Sequence, residues 1–523
     1  MKFKYIKYIF IIFVILIVIF AIYKVSSKNN SKPNIDIPES NDAVYQDNLR
    51  LGISNFDTIN PLLTKNKEMI NINQLIYEPL LTLDSSYKLN FCLATEYAKT
   101  ATTTYIIKVD NNAKWSNGTS FSAKDVKFTI DLLKSTDNIF SENVKNISNV
   151  ETIDDSTVKI NLIEETYFFE NNLIFPIMCQ NYYAGENFFE STKYPIGTGL
   201  YKISSFSNNE IMLEKNENYR NAENTNKNIQ KINITLFNSM GELYNSFKIG
   251  NIDIINTSSL VYEDYIGTIG YYAKEYKGRE YDFLSCNCED YLMKQKSVRQ
   301  AINYAIDREN IVSTIYNNKY FSSEYVLDYG SYVYNNNLSS SDYNPQKARE
   351  ILETDGWVYT NNRWKKNGYN LYLTIGVNSN NPKRVEVAKT IKNQLESIGI
   401  QVNINELSDN QYNWNLKNKN YQLLLTGVYN SYSPDITYFY GEQNIANYKN
   451  EEVSIILSDI KNITDQKILE EKYKNLINIT KDDCAYISLY RNKNTLLINK
   501  KVIGNFEPTN YGIFKNFESW NRE

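Results

Sequence analysis

The chain has 523 residues, 42% of them hydrophobic and 14% aromatic, which makes it too long for one growing core and too apolar to stay disordered. Its formal charge is -4, and because six of the 56 Lys and Arg lie in residues 1–32, the remainder sets 50 basic against 60 acidic residues, which excludes a basic nucleic-acid-binding face. There is no His, so Ser-His-Asp and Cys-His catalysis, His-based zinc sites and imidazole proton shuttles are all ruled out.

Lys2, Lys4 and Lys7 precede sixteen uncharged residues, 8–23, and Lys24, Lys28 and Lys32 follow them. This pattern predicts an export signal retained as a membrane anchor over residues 1–25. Val25 and Ser27 suit cleavage poorly, and no Cys follows the apolar run to carry a lipid. A cleaved, secreted form is the alternative. Residues 26–47, polar and Pro-containing, are expected to be a flexible tether.

Residues 48–53 read as a strand and 72–83 as a helix running into a strand. Strands at 103–109 and 157–162 flank a helix at 122–133, where Val126, Ile130 and Leu133 share a face and Ser122 with Asp125 forms a capping box. Trp115, Gly118 and Asp125 read as scaffold. Gly197 and Gly199 form a lone GxG, a weak phosphate signal that fits a tight strand entry better. Strands at 201–205, 211–215 and 229–237 lead to a helix at 240–249 that stops at Gly250. One long helix is expected from Val298 through Tyr316, carrying Arg299, Asp307 and Arg308 as a solvated or interlobe ion-pair set. A helix at 344–354, a strand at 371–377, a helix at 383–397 and strands at 399–406 and 421–427 form a βαβ series suited to a partly parallel sheet. Cys92, Cys179, Cys286, Cys288 and Cys484 lack CxxC spacing and read as structural thiols.

Several segments carry a resemblance. They are NLRLGISNFDTINPLL with LIYEPLLTLD, then KWSNGTSFSAKDVKFTIDLL, PIGTGLYKISSFSNNEIMLEKNENY, KSVRQAINYAIDRENIV, YNPQKAREILETDGW, and the stretch from ANYKNEEVSIIL to KNFESW. In this order, from about residue 48 to the end, they resemble the family-5 extracellular solute-binding proteins of ABC transporters, the oligopeptide, dipeptide and nickel-binding group. The resemblance implies an α/β, periplasmic-binding-protein-like fold: two α/β lobes joined by hinge strands, with an extra domain inserted in the first lobe. The expected division is 48–81, 196–283 and 488–523 for lobe I, 82–195 for the inserted domain and 284–487 for lobe II.

The resemblance also implies a function: capture of a peptide or similar small polar ligand at the outer face of the membrane, and delivery to ABC permease subunits by a monomer without cofactor or catalytic residues. A membrane-anchored peptide sensor is the alternative, and an extracellular carboxylate-dependent hydrolase a weaker one. The family places ligand contacts on two loops. The first is residues 61–70, offering Lys65, Asn66 and Lys67. The second, Gly427 to Asp435, offers Val428, Tyr429, Asn430, Ser431 and Asp435. Peptide-binding members use an Asp four residues after that Gly to pair with the ligand's α-ammonium group; here the position is Ser431, and Val428 replaces a Trp. Asp435 reads equally as a substitute acid or as a turn residue after Pro434. With no imidazole in the chain, a directly held nickel ion is disfavoured.

Overall fold

The computed structural model describes residues 46–222, 228–263, 270–327, 330–334, 343–461 and 463–523. The predicted anchor and nearly all of the predicted tether lie outside the described residues, among which no helix is long and apolar enough to cross a membrane.

Strand β1 (Asn48–Ser54) buries Leu49, Leu51 and Ile53 on one face, following the two-residue period of a strand. Helix α1 (Lys67–Ile76) starts ahead of the apolar run at residue 72, because Asn66 Oδ1 accepts the Met69 N–H at 3.0 Å and caps it. Strands β2 (Ala94–Ala101), β3 (Thr104–Val109), β4 (Ile147–Asp154) and β5 (Thr157–Leu162) form a separate antiparallel sheet in the order β2-β3-β5-β4. Helix α2 (Ala123–Ser135) packs against it and opens at the predicted Ser122–Asp125 capping box.

Strands β6 (Tyr201–Phe206), β7 (Glu210–Lys215) and β8 (Lys231–Phe237), helix α3 (Met240–Lys248), and strands β9 (Ile254–Thr257) and β10 (Tyr271–Cys286) come next. The chain reaches β6 by crossing the end of α1. Gly199 N–H donates to Ile76 O at 2.9 Å, and a Cβ on Gly197 would lie 1.8 Å from that oxygen. The GxG therefore serves close backbone approach.

The later part holds α4 (Lys296–Ala305), α5 (Arg308–Tyr316), α6 (Pro345–Thr354), β11 (Tyr372–Asn378), α7 (Pro382–Ser397), β12 (Gln401–Leu407), β13 (Leu423–Tyr429), α8 (Gln466–Asp483) and β14 (Tyr486–Asn499). Two expectations are corrected here. The single helix through 298–316 is two helices: backbone extends at Ile306, and Asp307 restarts the coil by accepting the Asn310 N–H at 2.9 Å. Arg299 and Arg308 are buried, not solvated. Arg299 donates to the carbonyls of Asp483 and Met293 at 2.8 and 2.6 Å, and Arg308 to that of Ser488 at 2.6 Å. A guanidinium has enough fixed donors to tie main-chain carbonyls together without a carboxylate.

Eleven strands form one mixed sheet, ordered β12-β11-β13-β10-β14-β9-β1-β8-β7-β6, with Tyr320–Ser322 paired to β14 as the eleventh. Strand β1 is parallel to β8 and β9; β11 is parallel to β12 and β13, as the βαβ series over 371–427 predicts. The long strands β10 and β14 run antiparallel to each other and carry the chain between the two halves of the sheet. One core surrounds β1 and the small sheet, a second lies between β11, β13 and helices α4 to α7, and an aromatic third holds Tyr281, Phe283, Phe439 and Tyr486.

Gly427 stands opposite Asp282 in the β10–β13 ladder. Arg384 of α7 makes two bonds of 2.8 Å to Asp282, and Tyr490 Oη donates to the same carboxylate at 3.1 Å. A Cβ on Gly427 would fall 2.0 Å from Asp282 Oδ1 and 2.3 Å from Arg384 Nη2. Separating a largely buried pair leaves an uncompensated charge, so Gly427→Ala and Arg384→Met are each expected to lower stability by about 3 kcal/mol. A urea unfolding midpoint unchanged in both variants would show that the pair is dispensable.

Candidate ligand-binding cleft

Beyond Tyr429 the chain leaves β13 as the segment 430–438, which Arg279 holds in place. Arg279 sits in β10 where the register with β14 shifts between Lys277 and Tyr281, and such a bulge re-aims its side chain. Its Nε donates to Asn430 O at 3.1 Å and its Nη2 to Ser431 O, while its guanidinium carbon lies 4.7 Å from the ring of Tyr87 and 4.9 Å from that of Tyr432. Each ring face contributes on the order of 1–2 kcal/mol when water is excluded. Short turns then fix the rest of the segment: Ser433 N–H donates to Ser431 Oγ, Asp435 N–H to Ser433 Oγ, and Thr437 N–H to Asp435 Oδ1 at 2.8 Å. Buried Tyr473 closes the series by donating to Pro434 O at 2.8 Å.

Two cavities flank this segment, one of about 320 Å³ and one of about 720 Å³. The larger faces α1, residues 139–145 and 166–176, and Tyr511. Tyr429, Asn430, Ser431 and Asp435 line both cavities, and Val428 lines the smaller. Lys65, Asn66 and Lys67 line neither. Asn66 is used on both sides of its amide, capping α1 and donating to Ser54 O at 2.7 Å, and Lys65 N–H is turned towards Asp57 Oδ2 at 2.6 Å. From that loop the larger cavity takes Pro61 and Ile70.

Asp435 is half-buried, and that burial pushes its carboxyl above the ordinary aspartate value of 3.8. The Thr437 N–H opposes the shift, and no cation takes part. Among the described residues lining the larger cavity, Asn73 Oδ1, Tyr77 Oη and both amide atoms of Asn171 are enclosed without a hydrogen-bond partner.

The walls meet across the cavity. Asn510 Nδ2 donates to Tyr429 Oη at 2.9 Å and to Tyr432 Oη at 3.1 Å, Tyr432 Oη donates to Asn510 O at 2.8 Å, and the Tyr432 and Tyr511 rings stand edge-on at 5.6 Å.

A sequence profile of bacterial extracellular solute-binding proteins, family 5 (middle part), matches residues 88–449. The chain belongs to that family. The oligopeptide-binding protein AppA of Bacillus subtilis is 24% identical over 483 residues, 88% of this chain and 85% of AppA. The glutathione-binding protein GsiB of Escherichia coli is 24% identical over 386 residues, 68% of this chain and 69% of GsiB. Among solved structures, the nickel ABC transporter of Bacillus halodurans superposes with a TM-score of 0.77 at 19% identity, covering 91% of this chain and 100% of that one. This family-5 solute-binding protein has the periplasmic-binding-protein-like fold of two α/β lobes, and works as the substrate-binding component of an ABC transporter, delivering its solute to a permease.

Sequence reasoning reached one wall of the cleft and missed the other. Arg279 and Tyr87 lie far from any ligand motif and meet the loop only through the bulge in β10. Asn73 is a polar residue among buried Met69, Ile72 and Ile76 on α1, and Tyr77 is the extended residue that ends that helix. Asn510→Ala removes two bonds between the walls, each contributing about 0.5–1.5 kcal/mol. This variant is expected to show a larger radius of gyration in small-angle X-ray scattering; an unchanged radius would mean that these contacts do not hold the walls together.

Proposed function

We propose that this family-5 protein captures a peptide or similarly small amine-bearing solute in the larger cavity, with Asp435 receiving the ammonium group. The supporting observation is a half-buried carboxylate on the wall shared by both cavities that has Thr437 as its hydrogen-bond partner and, among the described residues, no cation paired with it. Ser431, at the position where peptide-binding relatives carry the acid, points its hydroxyl at the Ser433 N–H, which favours Asp435 as the substitute. The turn role and the ligand role are compatible, since the Thr437 N–H engages Oδ1. A volume of about 720 Å³ lies within the roughly 300–1,000 Å³ of small-molecule sites. The N-terminal residues 1–25 tether the protein at the outer face of the membrane, 26–47 give it reach, and lobes I and II turn about β10 and β14 to enclose the solute, which is released unchanged to the permease.

A charge-assisted hydrogen bond contributes roughly 1.5–3 kcal/mol, so Asp435→Asn is expected to weaken binding of free-amine tripeptides about 10- to 100-fold in calorimetric titration. N-acetylated tripeptides should bind the wild type and the variant equally weakly. The carboxylate is the binding form and its pKa is raised, so affinity for the amine falls on acidification, beginning above the pH range of an ordinary aspartate. Equal affinities of both proteins for free-amine peptides would refute the role of Asp435. Recovery of cleaved peptide would refute simple capture.

A further inference from the structure

We propose that the larger cavity selects an amine-bearing solute whose side chain is aromatic or large and apolar, and that the rings of Tyr429 and Tyr438 receive that side chain. The inference rests on the capture of a solute in this cavity proposed above, and it names the class of side chain that such a solute carries.

Large apolar side chains left open inside a concavity mark a small-molecule site more clearly than the same side chains scattered over a convex surface. Tyr429 and Tyr438 are 61% and 48% exposed, and both line the larger cavity. Each is held at one end. Tyr429 is the last residue of β13, and its hydroxyl accepts a hydrogen bond from Asn510 Nδ2 at 2.9 Å. Tyr438 belongs to the short helix Thr437–Tyr440, and its ring stands edge-on to that of buried Phe439 at 5.1 Å. Both rings are thus fixed in place while much of their surface stays open.

A second pair of rings reaches the same cavity from the residues after β5. Tyr167 and Phe168 are half-buried and line it. Lys461 Nζ lies 4.9 Å from the centre of the Tyr167 ring, and the rings of Phe168 and Tyr473 are 6.4 Å apart. Phe168 has a φ of 51°, in the left-handed region, which a bulky residue adopts only where its surroundings impose it; such positions gather at ligand clamps. Half-buried Phe140 and Tyr511 extend the aromatic lining. Carboxylates and amines are scarce by comparison. Among the described residues that line this cavity they are Asp435, Glu142 and Lys145, and the last two pair with each other in side chains that are largely solvated. An acidic side chain on the solute would meet Asp435 with no cation to offset it. A basic one would exchange water for ring faces, with the half-buried carboxylate already engaged by the amine. An aromatic or aliphatic side chain gives up no hydrogen bond and takes apolar surface of both partners out of water.

The test titrates the protein with free-amine tripeptides that carry Phe, Ala, Glu or Lys at each position in turn. At one position the Phe peptide is expected to bind roughly tenfold or more tightly than its Ala counterpart, and the Glu and Lys peptides no better than Ala. Tyr438→Ala should cut the Phe advantage about fivefold and leave the Ala peptide unchanged, whereas Tyr438→Phe, which keeps the ring, should retain it. Equal Phe and Ala affinities at every position, or a Glu or Lys peptide that matches the Phe peptide throughout, would overturn this inference and leave amine capture standing. A Phe advantage untouched by Tyr438→Ala, or lost equally in Tyr438→Phe, would overturn it as well, because the ring would then not be the receiving group. N-acetylated peptides that bind as tightly as the free amines and keep the Phe advantage would overturn amine capture alone. Failure of every tripeptide to bind would overturn both readings.

Discussion

The antiparallel pairing of β10 with β14 is the constraint on which the rest of the molecule depends. It runs from the Tyr271–Asn499 pair to the Ser285–Tyr486 pair, and at roughly 3.3 Å per residue a strand as long as β10 spans about 50 Å. On one side β14 supports β9 and, through it, β1, β8, β7 and β6; on the other, β10 supports β13, β11 and β12. The ladder is interrupted twice, between Lys277 and Tyr281 and at Asp282 and Phe283. Beside these interruptions lie Arg279, which clamps the loop 430–433, and Asp282, which pairs with Arg384 over Gly427. Irregularities in one strand thus shape the segment that lines both cavities.

Burial of charge follows a consistent rule across the framework. Arg299 and Arg308 are matched by carbonyls, Arg384 by Asp282, and Arg220 by Glu78. Each pairing fixes a junction between segments distant in sequence. Arg308, enclosed on all sides, has even its very high pKa drawn downwards by desolvation, yet its carbonyl partners keep it in place. Asp435 contrasts with these groups: it is desolvated, not matched by a cation among the described residues, and lines both cavities.

Much of the fold was legible because it was written in local signals. The Ser122–Asp125 capping box, Pro345 opening α6, Gly250 after α3 and the alternation of Thr157 to Leu162 need only neighbours in sequence, and each element appears within a residue or two of its expected bounds. The break at Ile306 was not legible: the apolar face runs on through it, and only the cap formed by Asp307 reveals a second helix. In the cleft, the segment from Val428 to Asp435 was readable from its resemblance to a family motif. Lys65, Asn66 and Lys67 stand outside both cavities, since a loop named by resemblance need not turn its polar side chains inward, and Asn66 is engaged by its own helix. Arg279, Asn171 and Tyr511 come to the cleft by tertiary folding alone, which no short-range pattern records.

The way Arg279 holds the loop has an evolutionary consequence. It grips the main-chain oxygens of Asn430 and Ser431, which every amino acid possesses, and its flat faces rest on Tyr87 and Tyr432. Arg279 therefore keeps its hold on the main chain whatever side chains stand at 430 and 431, while the turns made by Ser431 and Asp435 constrain exchange at those two positions. A lineage built on this plan can drift from one nutrient to another by single substitutions, keeping a fixed handle while its grip on the cargo changes. The absence of the familiar Trp and Asp at Val428 and Ser431 is the trace that such drift would leave.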